Sequence, residues 1–207
     1  MTPAAPPLHY LALGDSYTIG ESVPAAARWP AQLVEQLRQR GVVMDDPRIV
    51  AVTGWTTDEL SAGMDQASLN PTYDLVSLLI GVNDEYRSYP IDDYRHRFAA
   101  LLQRAVALAG NRPQRVIVVS IPDWGTTPFA RSDSRGSTQI AAELDAYNAI
   151  AETESARVGA RWVDITALSR QHASLVADDG LHPSAAQYTL WVDAILPVAE
   201  KALIPAH

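Results

Sequence analysis

Five short apolar runs recur between longer amphipathic ones, and no other feature restricts the fold of this 207-residue chain so tightly. The runs lie in residues 8–14, 49–52, 75–80, 115–121 and 161–165 and are rich in Leu, Ile and Val. Leu75-Val76-Ser77-Leu78-Leu79-Ile80 does not alternate apolar with polar, which marks a strand buried on both faces. The stretches between have helical spacing. Residues 29–40 carry Leu33, Val34 and Leu37 on one stripe before Gly41, and residues 91–109 carry Phe98, Leu101, Leu102, Ala105 and Leu108 before Gly110. Thr56 and Glu59 have the spacing of a capping box, predicting a helix toward Leu69. Further helices are expected over 138–158, 166–176 and, with Pro183 in its first turn, 183–203. Strand followed by helix, repeated five times, calls for a parallel sheet covered by helices on both faces. The chain therefore reads as one α/β domain over residues 1–207, with residues 1–7 a loose N-terminal tail.

In such a sheet every strand releases the chain at the same edge, where ligands bind. The polar punctuation falls there: Gly14-Asp15-Ser16, Gly54, Gly81-Val82-Asn83-Asp84 and Asp178-Asp179-Gly180-Leu181-His182 all follow strands. Ser16 is expected at the tip of a tight turn, with Gly20 freeing the backbone behind it. A serine at its free pKa is a poor nucleophile and needs a base that is itself held in place. His182 fits that role, and Asp179, three residues earlier, can fold back to its ring, with Asp178 a neighbouring rival. His9 in the first strand, His96 on a charged helix, His172 in a short polar helix and His207 at the terminus lack that setting.

Attack on an ester builds charge on the carbonyl oxygen, and fixed donors stabilise it. The Ser16 N–H, the Gly54 N–H, where a missing side chain permits close approach, and the Asn83 amide are the candidates. Trp55, Tyr86, Trp124 and Phe129 follow strands two to four and could line an acyl or aryl pocket. Residues 122–137 are the longest stretch without periodicity, of the kind that shapes a binding site or covers it.

Composition narrows the partners. Acidic residues outnumber basic ones by 24 to 16, a net charge of −8, which argues against nucleic acid or anionic membranes. With no cysteine, disulfides and thiolate chemistry are excluded. No apolar segment reaches the length of a membrane span, and the N-terminus does not read as a signal peptide, so a cytoplasmic location is expected, although export is compatible with a cysteine-free chain. The first turn lacks the Gly-Lys-Ser/Thr ending of a phosphate loop and the Gly-x-Gly of a dinucleotide site. A metal site at Asp178, Asp179 and His182 lacks a second histidine and leaves Ser16 and Asn83 without a role. No metal and no cofactor are expected.

Gly14-Asp15-Ser16, Gly54, Gly81-Val82-Asn83-Asp84 and Asp179-Gly180-Leu181-His182-Pro183 resemble, in order and across nearly the whole chain, the four sequence blocks of the SGNH hydrolases, the GDSL esterase and lipase superfamily. The resemblance implies a flavodoxin-like three-layer α/β/α fold with a five-stranded parallel sheet in the order 2-1-3-4-5. It implies Ser16 as nucleophile and oxyanion donor, Gly54 and Asn83 as the other donors, His182 as base and Asp179 as its orienting acid. Two positions depart from the pattern: Tyr17 replaces the leucine after the serine, and Gln187 stands where many members have glycine. Tyr17 bears on substrate choice beside the nucleophile. Thr18 occupies the second glycine position of the Gly-x-Ser-x-Gly elbow, which disfavours an α/β-hydrolase. The expected function is a serine esterase that hydrolyses short-chain acyl or aryl esters of small molecules through an acyl-enzyme. A sugar O-acetyl esterase, a lysophospholipase or thioesterase, and a non-catalytic module binding a sugar or acyl ligand are the alternatives. Monomer and small homo-oligomer both remain open.

Overall fold

The computed structural model describes residues 6–204. Five strands, β1 (Tyr10–Gly14), β2 (Arg48–Ala51), β3 (Leu75–Leu79), β4 (Val116–Val119) and β5 (Arg161–Val163), form one sheet in the order β2-β1-β3-β4-β5. All pairings are parallel. Every residue of β1, β3 and β4 is buried, as their unbroken apolar sequences require.

Eight α-helices occur among the described residues: α1 (Ser16–Ile19), α2 (Trp29–Gln39), α3 (Thr57–Gln66), α4 (Val82–Tyr86), α5 (Ile91–Leu108), α6 (Gly136–Val158), α7 (Thr166–Gln171) and α8 (Ala185–Leu203). Helices α2 and α8 pack together, and α3, α5 and α6 pack in succession against one another. The expected stripes face inward: Leu33, Val34 and Leu37 of α2 are buried, as are Phe98, Leu101, Leu102 and Ala105 of α5. Burying each large apolar side chain contributes about 1.5–3 kcal/mol. No helix among the described residues is long and apolar enough to cross a membrane.

This strand order positions the site. From β1 the chain moves to β2 on one side and then back past β1 to β3 on the other, so neighbouring connections leave in opposite directions between β1 and β3. Gly14 pairs in register with Ala51 on one side and Leu79 on the other, so three strands end level. A Cβ at Gly14 would lie 2.5 Å from the Leu79 carbonyl oxygen, so only glycine lets the chain turn there.

Several local features differ from the sequence expectation. The turn at Ser16 and the segment after Gly81 are short helices, α1 and α4, rather than loops. Helix α3 stops at Gln66, three residues short of Leu69, ahead of the Asn70-Pro71 pair. Pro183 precedes α8 instead of entering it, because the Ser184 hydroxyl caps the helix by accepting from the Gln187 N–H at 3.4 Å. Residues 122–137 contain two 3₁₀ turns, Trp124–Thr126 and Phe129–Ser132, and Trp124 is buried. Of the tail expected over 1–7, residues 1–5 lie outside the described residues, as does His207.

Candidate active site

At the end of β1, Asp15 caps α1 by accepting the Tyr17 N–H at 3.0 Å on Oδ1. This makes Ser16 the first residue of a helical turn whose N–H has no acceptor among the described residues. The Asp15 carboxyl is fully buried and its Oδ2 has no partner. Burial, reinforced by the nearby Asp84 charge, pushes it up to about 8 against the pull of the Tyr17 N–H. Asp15 is therefore a neutral cap near neutral pH. The Ser16 side chain, 5% exposed, makes no hydrogen bond among the described residues.

After β2 the chain turns at Gly54, whose φ of 87° is in the left-handed region that favours glycine. A Cβ there would meet only Arg87, at 3.8 Å, so backbone conformation rather than crowding accounts for the residue. The Gly54 carbonyl accepts from the Arg87 guanidinium at 2.6 Å, and Arg87 also reaches Glu59 at 3.2 Å. The capping box at Thr56 and Glu59 starts α3 as expected.

After β3, α4 carries Asn83. Its amide Nδ2 donates to the Trp55 carbonyl at 2.8 Å, which orients the group and leaves a second N–H for another acceptor. Buried Asp84 accepts from the Thr57 N–H at 2.9 Å and the Thr57 hydroxyl at 2.6 Å, locking α4 to the start of α3. Burial raises its pKa against those two hydrogen bonds.

After α7, Asp179 and His182 form a closed loop. Asp179 Oδ1 accepts the N–H groups of Leu181 and His182, both at 2.9 Å, while Oδ2 lies 2.6 Å from His182 Nδ1. Oδ2 also accepts the Ser22 hydroxyl at 2.7 Å. Although burial pulls the other way, the Leu181 and His182 hydrogen bonds, with Ser22, hold the Asp179 carboxyl down at about 2. Asp178, the alternative partner, makes no hydrogen bond to the ring. The pairing of His182 Nδ1 with Asp179 leaves Nε2 of the ring facing away from that carboxylate.

These segments meet around a cavity of about 160 Å³, lined by Ser16, Tyr17, Gly54, Asn83 and His182 together with Tyr86, Trp124 and Phe129. A larger hollow beside α2, about 590 Å³, has Arg28, Glu35 and Arg38 on its walls and no serine or histidine. Tyr17 packs edge-on against the His182 ring, centroids 5.8 Å apart. The three outer aromatics touch one another, with centroid separations of 5.4, 6.2 and 6.5 Å. The indole of Trp55 is elsewhere, packed over α3, where a Cβ on Gly63 would fall 2.1 Å from it; only its backbone carbonyl serves the site, through Asn83.

Three polar side chains around the cavity carry no sequence signal: Ser22, Glu85 and Arg135. Ser22 is a non-glycine residue at φ 65°, reached 157 positions from Asp179, and no local spacing points to that pairing.

No protein among the curated sequences matches the chain. Among solved structures, it is similar to a lipase/acylhydrolase from Enterococcus faecalis (TM-score 0.75, 19% identity, covering 97% of this chain and 99% of that one). It is also similar to TesA (0.73, 17%, 94% and 99%) and to Axe2, an acetylxylan esterase from Geobacillus stearothermophilus (0.71, 20%, 97% and 97%). At these identities the likeness is one of fold. The sequence pattern goes further: that of the GDSL-like lipase/acylhydrolase family matches residues 12–190, from within β1 into α8 and across every residue of the cavity, so the chain belongs to that family and is a hydrolase of ester substrates.

Proposed function

We propose that the protein is a serine esterase that cleaves short-chain acyl or aryl esters through an acyl-enzyme, with Ser16, His182 and Asp179 as its triad. The observation that carries this reading is the Asp179–His182 pair at 2.6 Å, facing the same small cavity as a serine hydroxyl that has no partner of its own. Hydrogen bonding through Nδ1 holds the imidazole in the tautomer whose Nε2 is an acceptor.

In the proposed reaction the Ser16 hydroxyl turns to His182, gives its proton to Nε2 and attacks the ester carbonyl carbon with Oγ. The carbonyl π pair moves onto oxygen, where the N–H groups of Ser16 and Gly54 and the second amide hydrogen of Asn83 are suited to receive it. Each such donor is worth about 3–4 kcal/mol of barrier. The tetrahedral intermediate collapses, the C–O bond to the alcohol breaks, and His182 returns the proton to the departing oxygen. Water, deprotonated by the same nitrogen, then releases the acid and restores Ser16. Asp179, anionic throughout, stabilises the imidazolium formed in both halves.

A fluorophosphonate should label Ser16, and hydrolysis of p-nitrophenyl acetate should fall by about a thousandfold or more in Ser16→Ala. A chain that neither labels nor hydrolyses would instead be a binding module.

A further inference from the structure

Behind the aromatic wall of the cavity lies an ion pair, a buried carboxylate and a half-buried guanidinium, that has no part in the acyl-transfer steps. Glu85, its side chain 1% exposed, accepts the Trp124 indole N–H at 2.9 Å on Oε2 and the Arg135 guanidinium at 2.6 Å on Oε1. Arg135 also holds Glu143 at 2.9 Å and chelates Asp133 with two bonds of 3.1 Å. Its guanidinium sits over the rings of Trp124, at 5.2 Å, and Tyr86, at 6.0 Å. The wall itself comes from two distant pieces of chain: Tyr86 ends α4, three residues after Asn83, whereas Trp124 and Phe129 belong to the segment after β4. Phe129 is tied at its other side, its N–H donating to the Gly180 carbonyl at 3.0 Å within the loop that bears His182.

Burying a carboxylate beside a cation is a poor way to stabilise a fold, since well-packed apolar residues of similar volume often do as well or better. What this pair does supply is geometry. A carboxylate fork that accepts an indole N–H with one oxygen and a guanidinium with the other fixes the ring plane of Trp124, and the stacked guanidinium backs both Trp124 and Tyr86. The space that the wall bounds on one side is small, about 160 Å³.

We infer that Glu85 and Arg135 are a positioning pair that clamps the Tyr86–Trp124–Phe129 wall, and that the clamped wall restricts the acyl group to short chains. The inference rests on the esterase reading above and adds to it the acyl class and the residues that set it.

The test is a series of p-nitrophenyl acetate, butyrate and octanoate on wild type, on the double variant Glu85→Gln/Arg135→Met and on Arg135→Lys. The quantity read is the ratio of kcat/KM for octanoate to that for acetate. Wild type should favour acetate and butyrate. The double variant removes both charges together and should raise the ratio about tenfold, chiefly by lowering KM for octanoate. Arg135→Lys keeps a cation beside Glu85 but loses the planar stacking, and should raise the ratio less; it also carries the test should the double variant fail to fold, as judged by its thermal transition. A purely structural role would lower all three esters in proportion and leave the ratio fixed, which would overturn the inference. So would a wild type that prefers octanoate. If wild type hydrolyses and is labelled by a small fluorophosphonate while the ratio does not move, only this inference fails; if it does neither, the esterase reading falls with it.

Discussion

Asp15 and Asp179 both sit beside candidate catalytic groups, one next to Ser16 and the other next to His182, yet their surroundings drive them in opposite directions. Asp15 is fully buried with one hydrogen bond and an unpartnered oxygen, and is pushed up to about 8. Asp179 reaches solvent, takes two backbone N–H groups, the Ser22 hydroxyl and the imidazole, and is held at about 2. The balance between burial and hydrogen-bond supply, not residue type, sets the charge of each. The distribution suits the proposed chemistry: an anion stabilises an imidazolium, whereas an anion adjoining the Ser16 N–H would repel an oxyanion held there. Stability responds oppositely as well. Asp15 keeps its proton in the fold from about pH 4 to about 8 while the unfolded chain has released it, so the fold loses stability as pH rises through that window. Asp179 contributes stability above about pH 4 that is lost as pH falls toward 2.

Substitutions at the two sites should break this symmetry unequally. Asp179→Asn removes the anion and presents an amide to Nδ1, and kcat on p-nitrophenyl acetate should fall by about a thousandfold or more; a loss of less than about tenfold would mean that Asp179 does not charge-stabilise the ring. Asp15→Asn replaces a neutral group by another of the same shape. Its urea midpoint relative to wild type should climb steadily from pH 5 to pH 8, and a constant offset would show that Asp15 is ionised in the fold. The smallest effect is expected at Ser22→Gly. Glycine suits φ 65°, so stability should hold while loss of the hydroxyl on Asp179 lowers kcat about threefold. An equal drop in Ser22→Ala together with unchanged KM would tie the loss to the hydroxyl rather than to the backbone.

Much of this architecture was legible in the sequence, for reasons that also mark where legibility ends. Runs such as 75–80 and stripes such as Phe98-Leu101-Leu102-Ala105 announce strand and helix through periodicity, and right-handed crossovers then place residues 16, 54, 83 and 182 at one edge. Helices α1 and α4, four and five residues long, are too short to show a period. The clamp behind the aromatic wall was hidden for another reason. Glu85, Trp124 and Arg135 are 39 and 50 positions apart in their pairings, and each alone reads as an ordinary helix or loop residue. Trp55 shows the converse: a large aromatic at a strand end suggests a pocket wall, but Gly63 offers its ring a seat on α3.

Ser16 follows the first strand, whereas His182 follows the last one, so the hydroxyl and its base are separated by most of the polypeptide. On a translating ribosome, a chain that has emerged only as far as α6 holds the proposed nucleophile but not the proposed base. Under the triad reading, the growing chain gains the means to attack esters only after β5 and the loop that follows α7 have been laid down.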